Sequence, residues 1–375
     1  MTLLDVRDLE IATAPRRGGG VRLVHDISLT VSPGELVCLV GESGSGKSVT
    51  GQAVLGLAGQ AGLRVSGQIL FEGLDLVTAG PARARQLRGR GLALIPQEPA
   101  SALDPLFPVG AQVAEAVRRA SGGSARSARQ TALELLAQAR LPSPRQRAAQ
   151  YPHELSGGQC QRVVIAMALA GQPRLIVADE PTSALDATVQ LQLLELLDRL
   201  RGADNDPATA SGASRTGMLL ITHNIGVAAR ADRIVVLYAG RIVEHGPAAD
   251  VLSNPRHPYT AGLIASVPSL TSPADRQARL PAIPGGVPSP AARTAGCPFR
   301  DRCRMAAPGC EQEQALVNHP GEADGVTHAA ACWRVTGETS AQALTSLWSR
   351  PPERIERTER TELTELTDLS SGDRT

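Results

Sequence analysis

The sequence predicts an α/β fold with a parallel-sheet core, and three stretches carry that prediction. Glu35-Leu36-Val37-Cys38-Leu39-Val40, Leu175-Ile176-Val177-Ala178 and Met218 to Thr222 are short apolar runs, as strands buried on both faces require. The first runs into Gly41-Glu42-Ser43-Gly44-Ser45-Gly46-Lys47-Ser48, the second ends in Asp179-Glu180, and the third ends before His223. Polar residues therefore gather at strand ends, where open α/β sheets bind ligands.

Residues 1–40 alternate apolar and polar side chains, as in Val21-Arg22-Leu23-Val24 and Ile27-Ser28-Leu29-Thr30-Val31. That pattern predicts antiparallel strands flanking the core. Gly41 to Ser48 then matches the phosphate-loop pattern G-x-x-x-x-G-K-[ST], between a strand and a helix over Ser48 to Leu57. Its glycines let successive N–H groups point at phosphate oxygens, and the helix adds its positive end. Lys47 reaches the outer phosphates and Ser48 holds Mg²⁺ in such a loop.

Asp179 is placed to hold the Mg²⁺ shell and Glu180 to polarise an attacking water. An Asp-Glu pair after a strand is equally often a helix-start charge pair; the phosphate loop upstream decides for chemistry. Residues 98–154 carry helical periodicity, with Val113 and Val117, then Leu133, Leu135 and Leu136. Gln159 to Ala170 reads as a helix whose N-terminus, Ser156-Gly157-Gly158, suits an anion. Asp186 is the expected N-cap of a helix to Leu200, with Val189, Leu193, Leu196, Leu197 and Leu200 on one face. Gly202 to Gly217 reads as a surface loop, and residues 336–375 as a polar tail with Thr-Glu near-repeats.

The order of phosphate loop, Gln97, Leu155-Ser156-Gly157-Gly158-Gln159, Asp179-Glu180, Ser183-Ala184-Leu185-Asp186 and His223 resembles the ATP-binding-cassette (ABC) family. The resemblance implies a P-loop ATPase with a RecA-like parallel-sheet core, an antiparallel β subdomain and an inserted helical subdomain at about 98–165, within a domain spanning 1–250. It implies ATP and Mg²⁺ at Gly41 to Ser48, with Gln97 and Asp179 on the metal. Glu180 is the catalytic glutamate, His223 contacts the γ-phosphate, and Lys47 neutralises charge. Ser156, Gly157, Gly158 and Gln159 serve the ATP of a second cassette. The implied mechanism is ATP-driven closure of two cassettes, transmitted through the helical subdomain, with hydrolysis resetting it.

The C-terminal third narrows the branch. His257-Pro258-Tyr259-Thr260, Ile283-Pro284-Gly285-Gly286-Val287-Pro288-Ser289, Gly296-Cys297-Pro298-Phe299 and Arg302-Cys303 resemble the tails of oligopeptide, dipeptide and nickel importer subunits. Tyr151-Pro152-His153-Glu154-Leu155 agrees. The resemblance implies a C-terminal region at 251–335 and an ATPase powering peptide import. Its partners are a second cassette (paralogue or copy), two transmembrane permease subunits and an extracytoplasmic solute-binding protein. Import of nickel or another small solute is the alternative, as is service to a soluble complex such as carbon–phosphorus lyase.

Composition sets limits. The 375 residues carry a net charge of +1, which gives no sign of nucleic-acid binding, and 42% hydrophobic residues support a full core. No apolar run approaches the roughly 18 residues of a membrane span, and Met1-Thr2-Leu3-Leu4-Asp5 has no signal-peptide character. The expected location is the cytoplasmic face of a bacterial membrane, reached through partners. A DNA-repair ABC ATPase would insert a coiled coil or zinc module where this chain has a compact helical segment.

Cys38 and Cys160 read as buried small residues. Cys297, Cys303, Cys310 and Cys332 cluster, with five, six and twenty-one residues between them, and a reducing compartment favours metal over disulfides. Four thiolates suit Zn²⁺ or a [4Fe–4S] cluster; His319 lies near enough in sequence to replace one. The family resemblance favours the iron–sulfur cluster. One departure concerns the base: ABC cassettes stack adenine on an aromatic near the N-terminus, yet no Phe, Tyr or Trp precedes Phe71, and Thr13 stands where it is expected. Base stacking on an aromatic is worth roughly 1–3 kcal/mol, so a weaker adenine grip is expected, offset in part by Arg16, Arg17 or the chain around Val21. In Thr222-His223-Asn224, Asn replaces the acid the family commonly has after its His.

Overall fold

Alternating burial along β1 (Leu4–Thr13) and β2 (Arg22–Val31) gives one apolar and one polar face. They join β4 (Leu63–Phe71) and β5 (Leu74–Asp75) in an antiparallel sheet of order β2-β1-β4-β5. Between them runs β3 (Leu36–Val40), buried at all five positions, followed by α1 (Lys47–Val54). After α2 (Gly80–Leu87) comes β6 (Leu92–Ile95), then the helical insertion: α3 (Val109–Ser121), α4 (Ala125–Gln138), α5 (Pro144–Arg147) and α6 (Gly157–Leu169). The core resumes with β7 (Leu175–Asp179), α7 (Ala187–Leu200), β8 (Gly217–Thr222), α8 (Ile225–Ala228), β9 (Arg233–Tyr238) and β10 (Arg241–Pro247). Helices α9 (Ala248–Ser253) and α10 (Pro258–Ala265) and the short strands β11 (Val317–Asn318) and β12 (Ala329–Ala330) follow. The computed structural model describes residues 2–14, 20–183, 185–202, 215–267, 282–293, 295–318, 327–335, 344 and 346–348. Arg16, Arg17, His319 and most of both the 202–217 loop and the 336–375 tail lie outside the described residues.

The main sheet has the order β11-β12-β10-β9-β3-β8-β7-β6. Strands β9, β3, β8, β7 and β6 are mutually parallel, and β10, β12 and β11 add antiparallel pairings at one side. The C-terminal region thus extends the same sheet, and Phe299, Val335 and Trp348 are buried in the same core as α3, α4 and α6. Apolar runs become central strands because helices or the second sheet cover both faces; each fully buried Leu, Ile or Val adds about 1.5–3 kcal/mol.

The insertion follows its apolar stripe. Val109, Val113 and Val117 of α3 are buried as expected. In α4 the buried stripe is Ala128, Ala132 and Leu136, at four-residue spacing; Leu133 and Leu135 are only half-buried, because small alanines let α3 approach. Arg162 of α6, nearly buried, donates to the Ala139 carbonyl at 3.2 Å and to Gln192 of α7 at 2.9 Å, tying the insertion to the core. Asp186 caps α7 through the Thr188 and Val189 N–H groups. Leu193, Leu194, Leu196 and Leu197 are the fully buried members of that helix.

Two histidines on the C-terminal side, buried His257 and half-buried His245, are held neutral. Burial holds His257 down at about 3, and its side chain accepts the Tyr259 N–H at 3.1 Å. Burial, with Arg233 and His328 nearby, holds His245 down at about 4. Unfolded histidine titrates near ~6.5, so between these values the unfolded chain binds more protons and stability rises with pH. Urea unfolding from pH 7.5 to 5.0 should show stability falling below about pH 6.5, by up to about 1.4 kcal/mol per pH unit for each histidine. His257→Asn, which keeps a cap acceptor, should flatten that slope; an unchanged slope would remove His257 from the effect.

Candidate active site

Strand register assembles the site. Val40 pairs with Thr222, Asp179 with Ile221, and Ile95 with Ala178, so β3, β8, β7 and β6 end together. Gly41, His223, Glu180 and Gln97, which follow those strands, therefore meet at one sheet edge. A cleft of about 630 Å³ opens there, lined by Ser43, Gly44, Gly46, Lys47 and Ser48 of the loop and by Gln97, Glu180, Ser183 and His223.

The loop is built around two backbone requirements. A Cβ on Gly41 would lie 2.2 Å from the Leu237 carbonyl oxygen, and Gly46 enters α1 at φ +105°. Lys47 sits inside the curl, its Nζ donating to the Gly41 and Glu42 carbonyls at 2.7 and 2.9 Å and to Ser45 Oγ at 3.4 Å. Burial lowers its pKa, and the nearby carboxylates of Glu180, Asp179 and Glu42 oppose that. Ser48 Oγ donates to Asp179 Oδ1 at 3.0 Å. Burial raises the Asp179 pKa in spite of that bond. A hydroxyl and a carboxylate oxygen held together in this way are the hard donors that suit Mg²⁺.

Glu180 adopts the left-handed region, φ +44°, with its N–H on the Ile221 carbonyl at 2.8 Å. A non-glycine residue held there marks strain of the kind found at working sites. Gln97 Nε2 donates to Glu180 Oε2 at 3.4 Å, and His223 Nδ1 lies 3.0 Å from the same oxygen. Asn224 accounts for the missing acid: its Oδ1 accepts the Gly226 N–H and caps α8.

Ser156, Gly157, Gly158 and Gln159 do not line this cleft. Ser156 caps α6 by accepting the Gln159 N–H, and the Gln159 side chain accepts the Ser156 N–H in return. Ser156 and Gly157 face solvent. The base-side expectation also changes. Thr13 accepts the Val21 N–H at 3.0 Å and is not part of the cleft wall, which Leu23, Pro290 and Arg293 complete instead.

What sequence reasoning missed is the support of the loop from the C-terminal region. Arg302 forks onto Glu42, Nη1 to Oε2 at 3.0 Å and Nη2 to Oε1 at 3.1 Å, and donates to Tyr238 Oη at 3.2 Å and the Pro284 carbonyl at 2.7 Å. Its side chain is 8% exposed. Burial opposes its charge, but hydrogen bonds to Glu42 and Tyr238 outweigh that and raise its pKa. The Glu42 N–H donates to Tyr259 Oη at 2.8 Å. Tyr238, Tyr259, Phe299 and Trp348 pack ring on ring behind the loop. The sequence holds eight aromatics (3 Phe, 3 Tyr, 2 Trp), so half of them brace this one site. The motif Gly296-Cys297-Pro298-Phe299 was a cue to Phe299; nothing local marked Arg302 as a partner of a residue 260 positions away.

The four C-terminal cysteines lie close enough for their charges to interact. Burial pushes Cys303 up to about 12 and Cys332 up to about 11, and raises Cys297, with neighbouring thiols adding to each. Backbone N–H groups oppose the rise, Met305 N–H meeting Cys303 Sγ at 3.3 Å. Among the described residues, no group of three or more His, Cys, Asp or Glu side chains is set to hold a metal ion. The expected cluster is therefore not supported: the four thiols are near one another, but the described residues hold no group arranged to bind a metal. Cys38 and Cys160 are buried, as expected.

Comparison with known proteins agrees with this geometry. Residues 24–183 match the family described as ABC transporter, and residues 243–310 match the oligopeptide/dipeptide transporter C-terminal region. A "Putative peptide import ATP-binding protein" of Brucella abortus is 42% identical over 320 residues, 85% of this chain and 92% of the relative. One of the same description from Brucella melitensis is 44% identical over 318 residues, 82% of this chain and 91% of the relative. A dimeric ATP-binding cassette in a post-hydrolysis state, bound to ADP and Pi, superposes with a TM-score of 0.57 at 26% identity, covering 65% of this chain and 98% of its own. A dimeric bacterial ABC transporter cassette gives 0.56 at 27% identity, with the same coverage.

Arg302→Ala leaves Glu42 without its fork. Fully buried pairs lose about 3–5 kcal/mol when one partner goes; with Glu42 partly exposed, about 2–3 kcal/mol is expected by denaturant unfolding. Arg302→Lys should recover only part of it, because an ammonium cannot fork. Wild-type stability in Arg302→Ala would mean that the loop holds itself.

Proposed function

The chain belongs to the ABC family of transporter ATP-binding subunits, and on that premise we propose that it powers the import of peptides through a membrane permease. The convergence of the phosphate loop, Asp179, Glu180 and His223 on one sheet edge carries the ATPase reading. The match of residues 243–310, together with the peptide-import relatives, carries the cargo class.

Each residue then has a task. The Gly41–Ser48 backbone cradles the phosphates, and Lys47 turns its ammonium from loop carbonyls to phosphate oxygens. Ser48 and Asp179, with Gln97, would hold Mg²⁺, which when bound neutralises charge on those oxygens. Glu180 polarises the attacking water, and its strained backbone together with the His223 and Gln97 contacts keeps the carboxylate aimed.

One cassette offers one cradle, and its Ser156-Gly157-Gly158, with Ser156 and Gly157 exposed, does not line it. That supports a head-to-tail pair in which each copy's Ser156 and Gly158 close the other's site. The partner is a paralogue or a second copy. Within the 98–165 subdomain, Leu106 is 77% and Phe107 55% exposed, which supports docking of permease subunits there. Among the described residues no helix is long and apolar enough to cross a membrane, and we place the chain peripherally on the cytoplasmic face, with an extracytoplasmic solute-binding protein supplying cargo. A [4Fe–4S] cluster on Cys297, Cys303, Cys310 and Cys332 remains our reading of the thiol group, with Zn²⁺ second. It rests on charge interactions among the four thiols and on N–H donors to three of the sulfurs; the sulfurs would have to draw together to form the shell that the described residues lack.

Glu180→Gln should keep ATP binding while kcat falls about 10²–10⁴-fold; wild-type turnover would remove Glu180 from catalysis. Anaerobically purified protein should show broad visible absorbance that Cys303→Ser abolishes. Colourless protein, with or without stoichiometric zinc, would end the cluster reading.

A further inference from the structure

We infer that Arg293, carried in from the C-terminal region, forms the nucleoside-side wall of the ATP pocket and takes the place of the missing N-terminal aromatic. The inference rests on the ATP site described above and extends it to the base. The sheet order fixes which end is which. From β3, where the phosphate loop begins, Glu180, His223 and Gln97 lie on the β8-β7-β6 side. The terminal phosphate must face that side, so the nucleoside points to the other, toward β9 and β10. Leu23, Pro290 and Arg293 line the cleft there.

Arg293 is fixed in that position. Its Nη1 donates to the Leu23 carbonyl at 3.0 Å, across 270 positions of sequence. The β9–β10 turn beside it is bonded to the phosphate loop, Gly240 N–H to the Ser45 carbonyl at 2.8 Å, and to β2, His25 N–H to the Gly240 carbonyl at 2.8 Å. Arg293 Nε is buried and has no hydrogen-bond partner among the described residues. Burial, with Arg241 nearby, lowers its pKa. A guanidinium is planar and weakly hydrated, and stacks on a flat π system where an ammonium does not. With no Phe, Tyr or Trp before Phe71 and Thr13 outside the cleft, the described wall offers one planar group to an adenine, Arg293, with Leu23 and Pro290 as apolar flanks.

The test compares ATP with inorganic tripolyphosphate, which has the phosphates but no base, by titration calorimetry on the full chain with Mg²⁺. Arg293→Ala should bind ATP about five- to thirtyfold more weakly and tripolyphosphate as tightly as wild type. Arg293→Lys keeps the charge and can still donate to the Leu23 carbonyl, yet should lose nearly as much ATP affinity. It also carries the test if the alanine variant does not fold. Unchanged ATP affinity, an equal loss for both ligands, or full rescue by lysine would overturn the proposal, the last two by assigning Arg293 to phosphate charge. Wild-type protein that bound neither ligand would overturn the nucleotide reading itself, and this proposal with it.

Discussion

Everything at the sheet edge depends on keeping a glycine-rich loop in one shape, and the Arg302–Glu42 fork is the interaction that does so from outside. A loop with three glycines among its first six residues carries a large conformational entropy in the unfolded chain. Lys47 braces it from inside through two loop carbonyls. On the proposed function Lys47 would leave those carbonyls for phosphate, and a second brace would then hold the loop when the first lets go. Arg302 provides it without lining the cleft, gripping Glu42, a loop side chain that does not line it either.

The brace is anchored by a buried carboxylate. Glu244, fully buried in β10, accepts the Arg256 N–H at 2.7 Å and the His257 N–H at 2.8 Å, and lies 2.7 Å from His328 Nε2. An isolated buried carboxylate would be costly; this one has three partners from two separate segments. His257 then caps α10, and α10 presents Tyr259 to the Glu42 N–H. A continuous set of contacts therefore runs from the C-terminal strands to the phosphate loop, with Cys303 one residue beyond Arg302.

The nucleotide machinery was legible in the sequence because its parts are short and local. Gly41 to Ser48, Asp179-Glu180 and His223 each follow an apolar strand, and strand register does the rest. The caps Asp186 and Ser156 were legible for the same reason, since a cap and its target lie within three residues. The buried face of α4 was not, because alanines at 128 and 132 carry a weak hydrophobic signal and are chosen by the closeness of α3. Thr13 was placed by sequence position alone, and its hydroxyl is used within the β1–β2 turn.

Taken alone, the sequence determined the family and the positions of its motifs: the Gly41–Ser48 loop, Asp179-Glu180, His223 and the Ser156-Gly157-Gly158 helix start. Those depend on residue types at fixed short spacing, which the chain order preserves. Tertiary structure alone decided that the C-terminal region belongs to the active site. Arg302, Tyr259 and Arg293 reach residues 260, 217 and 270 positions away. Such pairings have no spacing rule. They exist because β10 and β12 continue the core sheet, which brings the C-terminal region back against the Gly41–Ser48 loop and β2.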